Sequence, residues 1–250
     1  MIYHGDCLEI MPTLADKSVD MILCDLPYQT TACKWDVLIP FEPLWAQYKR
    51  IIKDNGAIVL TASQPFTSAL VMSNPGWFKY SWVWDKRNAT GHLNAKVKPL
   101  KQHDDVLVFS EGSATSTSKT MTYNPQGLKS CHIVKVNYET DSTGKRKCRE
   151  KGMPWTQDKT GYPKSIISFP YDTDKFHPTQ KPVALFEYLI KTYTNEGETV
   201  LDNCAGSFTT AIACINTNRK YICIEKDDKY FEIGKKRIEN HQPLLQAVNQ

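Results

Sequence analysis

Two short groups of residues have the types and spacing to do chemistry. Asp25-Leu26-Pro27-Tyr28 follows the apolar run Val19–Cys24. A carboxylate at the C-terminal end of a buried strand stands where open α/β sheets place their ligands. Proline fixes the turn behind it, and tyrosine adds a flat face beside it. Taken alone, the tetrapeptide also fits an ordinary strand-to-loop turn. The second group lies near the C-terminus, where Ala205-Gly206-Ser207 separates a short strand from a helix. Free N–H groups at such a helix start can hold a carboxylate or phosphate. Glu225 ends the next strand, nineteen residues past Gly206. An acid there can accept hydrogen bonds from both hydroxyls of a ribose, although many α/β proteins share this spacing without a nucleotide.

The elements that must position these groups are legible as hydrophobic patterning. Val19–Cys24 and residues 57–62, 77–84 and 106–109 read as strands. Residues 44–52 have helical periodicity and stop at Asn55-Gly56, and residues 65–72 suit a short helix. After Pro182 an amphipathic helix covers 183–193; a strand at 199–201, a helix at 208–216, a strand at 220–224 and a helix at 228–240 follow. Strands separated by helices predict a mostly parallel sheet covered on both faces. Residues 111–173 carry no sustained period and are rich in Ser, Thr, Lys, Gly and Pro. We read them as an inserted recognition module between two halves, 1–110 and 174–250, of one domain.

Composition sets further bounds. The chain has 250 residues, 41% of them hydrophobic and 23% charged, as in soluble globular proteins. No apolar run approaches a bilayer span and the N-terminus has no signal pattern, so a cytoplasmic protein with no membrane partner is expected. The eight cysteines form no C-x-x-C pair, which favours reduced, largely buried thiols and no metal site. The net charge is only +4, but basic residues cluster. Lys86, Arg87, Lys96, Lys98 and Lys101 face Asp85 alone, and residues 131–151 add Lys145, Arg146 and four more cations against three acids. Two such segments suggest a localised polyanion-binding face, although a solvated charged surface has the same composition.

Joined in order, these segments resemble the β-class DNA amino-methyltransferases, which modify adenine N6 or cytosine N4. Asp25-Leu26-Pro27-Tyr28 is similar to that family's D/N/S-P-P-Y/F motif. Residues 201–210 (Leu-Asp-Asn-Cys-Ala-Gly-Ser-Phe-Thr-Thr) are similar to its cofactor loop, and His177-Pro178-Thr179-Gln180-Lys181-Pro182 matches the segment before that loop. Gly5-Asp6-Cys7-Leu8 followed by Ser18-Val19-Asp20 matches its opening strand, and Trp84-Asp85-Lys86 also fits. The resemblance implies an α/β fold: a Rossmann-like methyltransferase sheet, mostly parallel, seven-stranded and in permuted order, flanked by helices and carrying a target-recognition insert. It implies S-adenosylmethionine as cofactor, with Glu225 on the ribose and Asp6 at the adenine end. Asp202, Gly206 and Ser207 would hold the methionine portion, helped by Thr179 and Lys181. Asp25 and the carbonyl of Leu26 would accept from the target amine, and Tyr28 would stack on a flipped base.

The implied partner is double-stranded DNA, with a homodimer and a cognate restriction endonuclease as further candidates. Asp25 favours adenine N6, and cytosine N4 is the alternative. Two residues depart from the family pattern. Leu26 replaces proline, which is tolerable where only the carbonyl is used. Phe208 stands where glycine is usual, so if that position needs positive φ the phenylalanine is strained, and the loop is reshaped or cofactor binding weakened. A DNA-binding relative with impaired catalysis is therefore a further alternative. His103 and His177 are read as structural or DNA-contacting, Trp35, Trp82 and Trp84 as packing residues, and residues 29–36 as a loop able to close over the base.

Overall fold

Val19–Cys24 has no exposed member, the pattern of a strand covered on both faces. Ile22 and Cys24 join one core, whereas Met21 and Leu23 join another on the opposite face. The computed structural model describes residues 1–29, 36–115, 119–136, 154–174 and 176–241. In chain order the elements are β1 (Ile2–His4), α1 (Cys7–Ile10), β2 (Val19–Cys24), α2 (Phe41–Ile51), β3 (Ile52–Ala62), α3 (Phe66–Ser73), β4 (Phe78–Thr90), β5 (Lys101–Phe109), β6 (Lys129–Val136), β7 (Pro154–Thr160), β8 (Ile166–Ser168), α4 (Val183–Tyr193), β9 (Thr199–Asp202), α5 (Thr209–Asn216), β10 (Lys220–Glu225) and α6 (Asp228–Glu239).

The described residues divide into two units, Met1–Asn124 with Ser165–Gln250, and Pro125–Lys164. The larger unit holds an eight-stranded sheet in the order β1-β10-β9-β2-β3-β5-β4-β8. β1, β10, β9, β2 and β3 run parallel, whereas β5 pairs antiparallel with both β3 and β4. On one face α2 and α3 bury Leu44, Tyr48, Ile51, Phe66 and Leu70. On the other, α4 and α5 bury Leu185, Leu189, Tyr193 and Ala213. This is the mostly parallel, helix-flanked sheet expected, with one strand more. The addition is β8, a three-residue strand parallel to β4 that arises within the segment read as irregular. No described helix is long and apolar enough to cross a membrane.

One local reading is corrected. The Asn55-Gly56 pair does not end a helix: α2 stops at Ile51 and the chain enters β3 at once. Gly56 lies inside that strand, where a Cβ would come within 2.7 Å of the Asp20 carbonyl oxygen. Close approach to β2, at the point where the β2–β3 register shifts, explains this glycine.

The smaller unit is a two-stranded antiparallel sheet of β6 and β7. Its stem closes at Gly127 and Gly161, both at positive φ, and a Cβ on Gly161 would sit 2.6 Å from the Gly127 oxygen. Only glycine fits so close an approach.

Candidate active site

The C-terminal ends of four adjacent parallel strands each deliver a carboxylate to one edge of the sheet. Asp6 follows β1, Glu225 ends β10, Asp202 ends β9 and Asp25 follows β2. A cavity of about 970 Å³ opens there. It is lined by Asp25, Leu26, Pro27 and Tyr28, and also by Asp6, Thr179, Lys181, Asp202, Gly206, Ser207 and Glu225. The site residues named from the two ends of the sequence thus share one cavity.

Asp25 is fully engaged. Its Oδ1 accepts from the Tyr28 hydroxyl at 2.6 Å and from the Thr61 hydroxyl, and its Oδ2 pairs with the Lys181 ammonium. Lys181 is 7% exposed and its Nζ lies 5.7 Å from the Tyr28 ring centroid. That ring stacks on Phe66 with centroids 4.9 Å apart. Burial, with Asp25 alongside, pushes the Tyr28 phenol well up, so it stays a neutral donor. Leu26 is buried in the core beneath α2, which anchors the turn and accounts for leucine at this position. Thr61 was not foreseen. The signal was a lone hydroxyl at the end of an apolar strand, one position past the Leu60 that pairs with Cys24.

The side built from residues 202–208 is equally tied down. Asp202 is buried and accepts from the Thr210 hydroxyl and the Cys204 N–H, and burial pushes its carboxyl up to about 7. Burial also raises Glu225, whose two oxygens accept from the N–H groups of Gly206 at 2.7 Å and Asp227 at 2.8 Å. The Gly206 N–H, read from sequence as a free donor, therefore holds the protein's own carboxylate. Asp6 caps α1 through the Leu8 N–H, and its bond to Lys226 at 2.9 Å keeps its carboxyl low. The Ser207 hydroxyl donates to Gln180 at 3.1 Å. Gln180, between Thr179 and Lys181, is a connector that sequence reading passed over.

His177 packs its ring 4.0 Å from the Tyr230 centroid and against Gly206. Burial pushes it down to about 4, so it is neutral at pH 7, with Nδ1 facing the Thr179 N–H at 3.2 Å. Trp82 and Trp84 are buried, donating to the Tyr193 hydroxyl and the Phe169 carbonyl. Phe208 does adopt a left-handed conformation, φ 59° and ψ 38°. Its ring is wholly buried in a notch at Gly234 of α6, where a Cβ would come within 2.6 Å of it. Left-handed backbone costs about 1–2 kcal/mol for a non-glycine residue. Burying a phenylalanine returns about 1.5–3 kcal/mol, so the strained conformation is held.

The polyanion candidates separate. Lys86 is corrected: it is 3% exposed and pairs with buried Asp104 at 3.3 Å, so its ammonium is not offered to a surface partner. Arg87, Lys96, Lys98 and Lys101 are exposed. Lys101 also lines the cavity and pairs with Asp104 at 2.6 Å. Lys145, Arg146, Trp35 and most of the 29–36 loop lie outside the described residues.

A family model described as DNA methylase matches residues 19–236 of the chain. The chain is 29% identical over 256 residues to DNA adenine methyltransferase YhdJ of Escherichia coli K12, covering 95% of this chain and 82% of that protein. It is 26% identical over 249 residues to the type II methyltransferase M.HpaI of Haemophilus parainfluenzae, covering 94% and 73%. Among solved structures, the M1.HpyAVI–SAM complex aligns with a TM-score of 0.61 at 25% identity, over 95% of this chain and 98% of that one. The cytosine-N4-specific PvuII DNA methyltransferase aligns with a TM-score of 0.69 over 96% and 87%, at 14% identity, a likeness of fold.

Proposed function

The chain belongs to the DNA methylase family, and from that premise we propose that it transfers a methyl group to the N6 amine of an adenine in duplex DNA, at a short sequence. The observation that carries this reading is the convergence of Asp25 with Asp202, Glu225 and Asp6 on one cavity at the carboxyl edge of the sheet.

The donor set fits S-adenosylmethionine, the cofactor of this family, which brings a cationic ammonium, a ribose and a methyl already activated on sulfonium. Asp202 would hold the ammonium, Glu225 the ribose hydroxyls and Asp6 the adenine end. Gly206 and Ser207 shape the loop around them, with Thr179 and Lys181 lining the same cavity. Asp25 and the Leu26 carbonyl would accept the two N–H bonds of the target amine. That amine is a poor nucleophile because its lone pair is delocalised into the ring. Two acceptors favour a more tetrahedral nitrogen and offset the positive charge that grows on it, a stabilisation of several kcal/mol when preorganised. Thr61 and Tyr28 already orient the Asp25 carboxylate, so it needs little rearrangement. Lys181, now paired with Asp25, must share that carboxylate with the incoming amine. A stacked base cannot reach this cavity, so the adenine must leave the helix, and Tyr28 offers it a flat face.

Adenine over cytosine rests on the aspartate heading the motif and on likeness to a relative named as an adenine methyltransferase. Likeness to type II methyltransferases supports a place beside a restriction endonuclease of the same specificity, and the resemblance carries a homodimer with it. The test is to digest DNA methylated by the purified chain and identify the modified nucleoside. N6-methyladenine is expected, and N4-methylcytosine would overturn the adenine assignment. Asp25→Asn should keep the fold and the affinity for S-adenosylmethionine while lowering kcat by about 10²–10³.

A further inference from the structure

β4 and β5 form a hairpin whose last register pair is Thr90 with Lys101. Both of these residues line the catalytic cavity, so the hairpin leaves the body of the unit at the cavity mouth. Beyond them residues 91–100 are all exposed. Leu93 is 102% exposed and Val97 81%, so the fold buries neither side chain.

This tip is nevertheless an ordered shape. Gly91 at φ +92° starts a short turn of helix at His92–Asn94. Successive backbone bonds follow, from Asn94 N–H to Gly91 O at 2.9 Å, from Ala95 to His92 at 3.1 Å and from Val97 to Asn94 at 3.0 Å. The hairpin base is fastened through Lys101, which bonds Ser63 and pairs with Asp104. The chain has no acidic residue from Arg87 through His103, and the tip itself holds Lys96 and Lys98.

Charge and apolarity together restrict what this knob can meet. Lysines without acids favour a polyanion. An aliphatic side chain held out among them gains only if it enters an apolar space within that polyanion. In a nucleic acid duplex that space is the base stack, which apolar wedges enter. Resting on the reading of the chain as an enzyme that methylates a base drawn out of duplex DNA, we propose that the 91–100 tip is the wedge that accompanies extrusion. Leu93 occupies the gap in the stack beside the cavity mouth, and Lys96 and Lys98 hold the flanking phosphates. The wedge lowers the cost of emptying the base position and has no part in the methyl transfer itself.

The test compares Leu93→Ala with wild type on two duplexes carrying the site mapped by methylation sequencing. In one the target base is paired; in the other it faces an abasic position, so little pairing has to be broken. On the paired duplex the variant should lose about tenfold or more in kcat/KM, and on the second it should stay within about twofold of wild type. With 2-aminopurine at the target position, its fluorescence rise on binding should shrink for the variant. Lys96→Gln with Lys98→Gln should weaken both duplexes equally, because phosphate contacts are blind to pairing. Equal losses by Leu93→Ala on both duplexes, or none, overturn the wedge. A wild-type chain that methylates no DNA overturns the reading beneath it, a result separable from any property of Leu93. Loss of binding to anionic lipid vesicles by Leu93→Ala, with duplex methylation intact, would assign the tip to a membrane surface instead.

Discussion

At the scale of single residues, the candidate active site is a set of acids held in different states by their surroundings. Asp6 is kept low by Lys226, whereas Asp202 is pushed up to about 7 by burial against the restraint of the Thr210 and Cys204 bonds. Its ordinary value is 3.8, so between about pH 4 and about 7 an unfolded chain has lost this proton while the folded one keeps it. The contribution of Asp202 to stability is therefore full below its unfolded value and lost as pH rises through the folded one. A ligand that brings a cation to Asp202 reverses this, because binding favours the ionised carboxylate. Affinity for S-adenosylmethionine should accordingly rise from pH 6 to pH 8, by up to about tenfold across the first unit. Glu225 is shifted the same way, so wild type reports both groups and Asp202→Asn isolates the remainder. Calorimetric titration at pH 6, 7 and 8 should give a weaker and flatter profile for the variant; an unchanged slope would assign the effect elsewhere.

At the scale of elements, α6 braces the 202–208 loop from behind. Gly234 leaves the notch that Phe208 fills, and Arg237 one turn later donates to the Ser207 carbonyl and the Thr209 hydroxyl, each at 3.0 Å. Glycine to alanine inside a helix usually gains about 0.5–1 kcal/mol. Gly234→Ala should do the reverse, costing about 1–3 kcal/mol by overpacking and weakening S-adenosylmethionine binding as Phe208 is driven from its place. Phe208→Gly placed on top of Gly234→Ala should recover part of both, since glycine accepts positive φ and the added methyl then has room. Denaturation and ligand titration of the two singles and the double form a cycle; additive losses would mean that the two residues act apart. Such pairings mark the limit of what the sequence discloses. β2 was legible to the residue because a strand buried on both faces is an apolar run, interrupted here only by Asp20 and closed by Asp25. Phe208 was legible as a conflict, but the notch that resolves it depends on a glycine in another element. Lys86 reads like any surface lysine until the hairpin register sets Trp84 opposite Asp104. Thr61 joins the site only because β2 and β3 lie side by side, and β8 is too short to show a period.

At the scale of the whole molecule, chemistry and charge fall in different stretches of the chain. Among the described residues, the three apolar cores contain none from 125–164. That segment instead holds nine Lys and Arg against four Asp and Glu, a net charge of +5 in a chain whose total is +4. Every residue proposed to bind cofactor or touch the target amine lies outside it. The chain at its margins is anchored independently: the Asn124 N–H donates to the Thr192 carbonyl at 2.7 Å, and the Ser165 carbonyl accepts from the Val83 N–H at 2.8 Å. Exchanging residues 125–164 for a short Gly-Ser linker should therefore spare the larger unit, because its cores draw on no described residue of that segment and a modest change of loop length alters closure by only about 0.6 kcal/mol per doubling. Cooperative unfolding and S-adenosylmethionine affinity should remain close to those of the full chain. Site-specific methylation should be lost, and residual DNA binding should depend less steeply on salt, because fewer phosphates are neutralised. Retention of the same methylated site by the shortened chain would move recognition out of 125–164 and onto the surface around the 91–100 hairpin.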